Sequence, residues 1–208
     1  MREHGRSGPI EWALAGRPLP GEEVSGDHGI VLDLGDSGAL FGLIDGLGHG
    51  LAAAAAAERA VAVLAENRAE PLDVLMVLSD HALADTRGAA MTLAMLYFGT
   101  SELSWLGVGN VSTCLIEATP TGPAARDTAL LLGGIVGYRL PATLPSQTTK
   151  MRPGDLLLMV SDGILADHGD AIDLSKPAHV IADDILSGYA KEIDDAFVLA
   201  ARHRGTKQ

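Results

Sequence analysis

Two apolar runs, Gly29 to Leu34 and Ala39 to Ile44, are separated only by Gly35-Asp36-Ser37-Gly38, and the second runs straight into Asp45-Gly46-Leu47-Gly48-His49-Gly50. Asp, Ser and Gly supply turn chemistry, so the pair reads as a β-hairpin. The segments after the hairpin constrain the fold further. Leu51 to Asn67 is alanine-rich and free of Pro and Gly, which predicts a helix able to pack closely. Pro71 suits the first position of a second helix, with Leu72, Leu75, Met76, Leu78 and Leu83 on one face and an end near Thr86. From Gly88 the period changes: Ala89 to Phe98, Glu102 to Val108, Val111 to Ala118 and Thr128 to Leu132 are strand-like runs punctuated by Gly, Asn and Pro. Asp155 to Val160 reads as a strand, Pro177 to Ala190 as a helix and Ala196 to Ala201 as a closing strand. Upstream, a first strand begins at Ile10, a loop spans Arg17 to Glu23, and residues 1–9 read as a flexible polar lead-in. Strands, then helices, then strands, then a helix and a strand predict one α+β sandwich domain over residues 1–208 rather than a regularly alternating parallel fold.

Composition narrows the function classes. Of 208 residues, 47% are hydrophobic, enough for one sizeable core. Fifteen Lys and Arg against 27 Asp and Glu give a net charge of -12, the wrong sign for a nucleic-acid surface and the right one for cations. No apolar run approaches the roughly 18 residues of a membrane span, and the residues from Met1 to Arg6 lead into no signal-peptide core. The expectation is a soluble, cytoplasmic protein without a nucleic-acid or membrane partner. Cys114 is the single cysteine, so no internal disulfide or thiolate zinc cluster can form; its apolar surroundings predict a buried strand residue rather than a nucleophile.

The chemistry is carried by aspartates beside Gly or a second Asp: Gly26-Asp27, Asp45-Gly46, Asp162-Gly163 and Asp194-Asp195. Asp-Gly is also turn chemistry and helix starts favour Asp as a cap; taken singly, each reads better as a turn. Two of the pairs end long apolar strands, however, and carboxylates held at strand ends can converge on an oxygen-rich, negative pocket. Such a pocket suits Mg²⁺ or Mn²⁺. Two ions roughly 3.5–4 Å apart can activate a shared water and clamp a phosphoryl group, which is hydrolysis without a protein nucleophile.

These segments resemble the metal-dependent PPM (type 2C-like) protein phosphatases, in particular the bacterial SpoIIE/RsbX-like branch, over nearly the whole chain. Ser25-Gly26-Asp27 is similar to that branch's first metal motif, Leu43-Ile44-Asp45-Gly46-Leu47-Gly48-His49-Gly50 to its second, Val160-Ser161-Asp162-Gly163-Ile164 to its third and Asp194-Asp195-Ala196-Phe197-Val198 to its last. Arg87-Gly88-Ala89-Ala90-Met91-Thr92 and Gly107-Val108-Gly109-Asn110 are similar to its central strand motifs, and Gly133-Gly134-Ile135-Val136-Gly137 to its glycine-containing loop.

The resemblance implies an αββα sandwich of two antiparallel sheets with two Mn²⁺ or Mg²⁺ ions at one edge. It makes Asp45 the ligand bridging both ions, Gly46 a carbonyl ligand, and Asp27, Asp162 and Asp194 further direct or water-mediated ligands. It also implies serine/threonine phosphoprotein phosphatase activity on a phosphorylated STAS-domain protein of an anti-sigma switch or stressosome. Phe197 departs from the usual Thr after the terminal acidic pair, leaving Asp194 and Asp195 as alternatives. The phosphate-binding arginine of many type 2C enzymes is not identifiable; Arg17 stands in a suitable loop. His49 reads either as a solvated residue or as a general acid for the leaving oxygen, whereas His28 and His168 read as surface residues. Two other readings remain: a GHKL-type ATP-binding kinase, whose glycine box Asp45 to Gly50 resembles but which needs an upstream helix, and a catalytically silent PPM-fold binding protein.

Overall fold

The computed structural model describes residues 1–205. Its elements run β1 (Arg2–Ser7), β2 (Ile10–Arg17), β3 (Asp27–Asp33), β4 (Gly38–Gly46), α1 (Leu51–Glu66), α2 (Leu72–Leu83), β5 (Ala89–Tyr97), β6 (Glu102–Val108), β7 (Ser112–Thr119), β8 (Gly122–Thr128), β9 (Leu131–Leu132), β10 (Gln147–Lys150), β11 (Leu156–Val160), α3 (Ala178–Tyr189) and β12 (Ala196–His203). One sheet has the order β1-β2-β12-β11-β7-β8 and the other β10-β6-β5-β4-β3, with β9 beside β6. All pairings between these strands are antiparallel except β6 with β9.

The two sheets face each other, and the strand period explains how three apolar layers arise from continuous apolar runs. In β4, Ala39, Phe41 and Leu43 point between the sheets while Leu40 and Ile44 face the α1/α2 layer. In β12, Phe197, Leu199 and Ala201 point between the sheets, whereas Ala196, Val198 and Ala200 face α3. A strand covered on both faces has no polar side to show, which is why these segments read as unbroken apolar runs. The α1 alanines Ala53, Ala56, Ala57 and Ala60 are buried against the second sheet. An αββα sandwich results, as the sequence predicts.

The Phe197 ring fills the space above two glycines, one from each sheet. A Cβ on Gly16 would lie 2.3 Å from the ring and one on Gly29 2.4 Å from it. This accommodates a large aromatic residue immediately after Asp194-Asp195-Ala196.

The sequence expectation fails at the sheet edges. The lead-in over residues 1–9 contains β1, paired residue for residue with β2 from Arg2 opposite Ala15 to Ser7 opposite Ile10. Thr128 to Leu132 is not one strand: Thr128 ends β8, and β9 is only Leu131–Leu132. The polar segments β8 and β10 are both strands, joined by Arg126, which contacts Glu117, Asp127 and Asp155 at 2.9–3.3 Å and bonds the Lys150 carbonyl. Edge strands hold by their backbone ladder and need no apolar face.

Candidate metal centre

Asp27 opens β3 and Asp45 stands one residue before the end of β4; the antiparallel register sets them directly opposite each other. In the other sheet, Asp162 follows β11 while Asp194 and Asp195 precede β12, at the same end of that strand pair. Face-to-face packing joins the two ends, so the structure brings all five carboxylates together.

Backbone contacts stitch the two acidic corners back to back. Ser161 N–H donates to the Phe197 carbonyl at 3.0 Å, and the Ser161 hydroxyl accepts from Phe197 N–H at 2.9 Å. A Cβ on Gly163 would lie 1.7 Å from the Asp195 carbonyl oxygen, so the glycine after Asp162 admits another strand's backbone. On the other sheet, a Cβ on Gly46 would lie 2.3 Å from the Ala53 carbonyl oxygen in α1.

The five carboxylates differ in what they touch. Asp195 is 2% exposed and accepts the Leu19 N–H with one oxygen and the Gly26 N–H with the other, each at 2.8 Å. Its oxygens are committed to the fold. Asp194, partly exposed, accepts from Asp195 N–H at 2.9 Å, and Asp162, exposed, accepts from the Asn110 side-chain amide at 2.7 Å. Asp27 is buried, and its Oδ2 has no hydrogen-bond partner. Of the adjacent pair, Asp194 is therefore the residue free to face an ion.

Mutual repulsion is written into the protonation of the cluster. Burial, followed by the charge of Asp45, pushes the Asp27 carboxyl well above the usual carboxylate range. Burial, then Asp162, Asp194 and Asp195, raises Asp45 to about 7. Burial and Asp162 likewise raise Asp194. A buried carboxylate oxygen without a donor and a set of like charges is what a bound cation would relieve. Among the described residues no three His, Cys, Asp or Glu side chains meet tightly enough to hold an ion alone. Mg²⁺, which commonly keeps several waters and takes only one or two carboxylates, fits such an open set.

Other candidates fall outside the cluster or at its rim. His49 is 58% exposed by its side chain, with Nδ1 2.8 Å from Glu22 Oε1, a partner that sequence reasoning did not foresee. Arg17 is tied down, its guanidinium donating to the carbonyls of Lys191 at 2.6 Å and Pro18 at 3.0 Å. His168 bonds the Leu165 carbonyl, and His28 is half-buried. Cys114, in β7 and half-buried, has its thiol pushed up to about 11 by burial, which removes it as a nucleophile at neutral pH. A cavity of about 540 Å³ is lined by Arg6, Gly8, Asp33 and Phe98 among others. It lies at the far end of β3 from Asp27 and takes no part in the carboxylate site.

Comparison with known proteins agrees with this architecture. A structure from the bacterial stressosome, described as a modular system adapted to control secondary messenger signalling, is 29% identical and covers 93% of this chain and 99% of its own, with a TM-score of 0.82. RsbX in complex with magnesium is 18% identical over 97% of this chain and 98% of its own, with a TM-score of 0.83. The catalytic domain of the serine/threonine phosphatase PstP with two manganese ions is 18% identical over 93% and 97%, with a TM-score of 0.66. No curated protein sequence matches. The family model described as stage II sporulation protein E (SpoIIE) matches residues 35–205, most of the chain and three of the four acidic motifs, and the chain therefore belongs to the SpoIIE family, within the PPM-type phosphatases.

Proposed function

We propose that this chain hydrolyses phosphoserine or phosphothreonine in a partner protein, using two divalent cations, Mn²⁺ or Mg²⁺. The observation that carries the proposal is the convergence of carboxylates from both sheets, with a buried Asp27 oxygen left without a donor. Asp45, whose charge meets those of Asp162, Asp194 and Asp195, would hold the cations together with the Gly46 carbonyl, Asp27, Asp162 and Asp194, directly or through water. Cations held there would supply Lewis acidity toward the phosphoryl oxygens and lower the pKa of a water for attack.

The protein's own part is positioning and proton transfer. Asp195 fixes the Gly26 backbone, and with it the start of β3, by taking both Leu19 and Gly26 N–H groups. Asn110 holds Asp162. Glu22 accepts from His49 Nδ1, leaving Nε2 as the ring nitrogen that can protonate a departing serine or threonine oxygen. No nucleophilic side chain is required.

For the phosphoprotein, similarity to the stressosome structure and to RsbX supports a STAS-domain switch protein, which would place the activity in the cytoplasm. Among the described residues no helix is long and apolar enough to cross a membrane. The kinase reading loses support, because β3 and β4 rather than a helix lead into Asp45. The deciding experiment is hydrolysis of para-nitrophenyl phosphate and of a phosphorylated STAS-domain protein with and without Mn²⁺. Turnover that needs the metal supports the proposal; a metal-loaded protein that binds the partner without turnover favours the silent-fold reading.

A further inference from the structure

We infer that Arg87 grips the phosphoryl group of the substrate, an inference that rests on the phosphatase reading above. Arg87 is exposed, two residues before β5, and its Nη1 lies 2.9 Å from where a Gly48 Cβ would stand. The guanidinium is thus laid over the Asp45-to-Gly50 loop that carries Asp45 and the Gly46 carbonyl. Gly48 has φ 88°, a conformation that side chains other than glycine's rarely adopt, and its lack of a side chain leaves room for the arginine.

Its backbone is held on both sides. The Thr86 hydroxyl donates to the Leu83 carbonyl at 2.7 Å and accepts from Gly88 N–H at 3.0 Å, while the Gly88 carbonyl accepts from Leu47 N–H at 3.0 Å. The last bond ties the turn carrying Arg87 directly to the Asp45 loop. Arg87 is in ion-pair contact with none of the described residues. Two further cations, Arg17 and Lys191, are engaged: Arg17 with carbonyls, and the Lys191 amino group with the Asp162 carbonyl. A planar fork of N–H donors, carried on a backbone held on both sides and without an acceptor among the described residues, matches two oxygens of a phosphate monoester.

The test measures inorganic phosphate binding to the Mn²⁺-loaded full chain by calorimetry, alongside KM for a phosphoserine substrate. Arg87→Ala is expected to weaken phosphate binding and raise KM by roughly tenfold to a hundredfold, the usual range for a charge-assisted hydrogen bond. Mn²⁺ affinity and Tm should be unchanged. Arg87→Lys should recover part of the loss, since it keeps the charge but not the fork. Arg68→Ala, beyond the far end of α1 and about 24 Å along that helix, should change neither quantity. An Arg87→Ala protein with wild-type phosphate affinity overturns the inference. Absence of Mn²⁺-dependent turnover in the wild type would count against the phosphatase reading instead, and the phosphate-binding comparison would still decide the role of Arg87.

Discussion

Asp195 accepts the backbone N–H of Gly26 at 2.8 Å, joining the loop before β12 to the residue that precedes Asp27 in the opposite sheet. The bond makes Asp195 a clamp between the sheets, although its neighbour Asp194 faces the carboxylate cluster. Asp195→Ala should therefore lower the stability of the metal-free protein by roughly 1–3 kcal/mol, by orphaning the buried Gly26 N–H and the part-buried Leu19 N–H. Asp194→Asn should leave that stability unchanged or higher while weakening Mn²⁺ binding. Urea denaturation and Mn²⁺ titration of both variants check the assignment; a stable Asp195→Ala protein that has lost only metal affinity would reverse it.

Asp45 gives a signed pH dependence. Its carboxyl stands at about 7 in the fold against about 4 in an unfolded chain, so the folded state holds the proton better. Its contribution is fully present below about pH 4 and is lost as pH rises through about 7. In chelator, Asp45→Asn should accordingly be more stable than wild type by a margin that grows over this window, to roughly 2–4 kcal/mol. Subtracting the two curves removes the titrating groups outside the carboxylate cluster, while Asp27, raised by burial and then by the Asp45 charge, contributes to the same difference. A margin independent of pH would mean that the Asp45 charge costs the fold nothing. With Mn²⁺ present the wild type should gain stability and the variant should gain less.

Chelation should abolish turnover and Mn²⁺ restore it, while Cys114→Ser keeps most of the activity, because that thiol is held protonated by burial. Activity that resists chelation and vanishes with Cys114→Ser would exclude the two-metal reading.

For His49 the expected signature is substrate-dependent. His49→Ala should slow an alkyl phosphoserine substrate by roughly a hundredfold but an aryl phosphate, whose leaving group needs no proton, by much less. Glu22→Gln, which weakens the hold on Nδ1, should move in the same direction. Equal effects on both substrates would mark His49 as a solvated residue.

The interior of this fold was legible because strands such as β4, β5, β11 and β12 are covered on both faces and carry few polar residues. The edges were not. The sequence Arg2 to Ser7 has no apolar alternation, and Gly122 to Thr128 contains both a Gly and a Pro, yet each pairs along a neighbour whose ladder was open. Asp27, Asp45, Asp162 and Asp194 announced themselves by standing at strand ends. The division of labour between Asp194 and Asp195 was illegible, because it depends on which carboxylate meets Leu19 and Gly26, more than 160 residues away. Arg87 was visible only as part of a motif and Glu22 not at all, since the approach of Arg87 to Gly48 and of Glu22 to His49 is made by loops that only the folded sheets bring together.

Phe197, Gly16 and Gly29 occupy one volume between them. No one of the three can be exchanged alone: a methyl on either glycine collides with the ring, and a smaller residue at 197 leaves a ring-sized void. The three positions are therefore one packing unit. A smaller residue at 197 calls for larger ones at 16 and 29 to keep that volume filled, so the aromatic belongs to the way the two sheets meet rather than to the chemistry at their end.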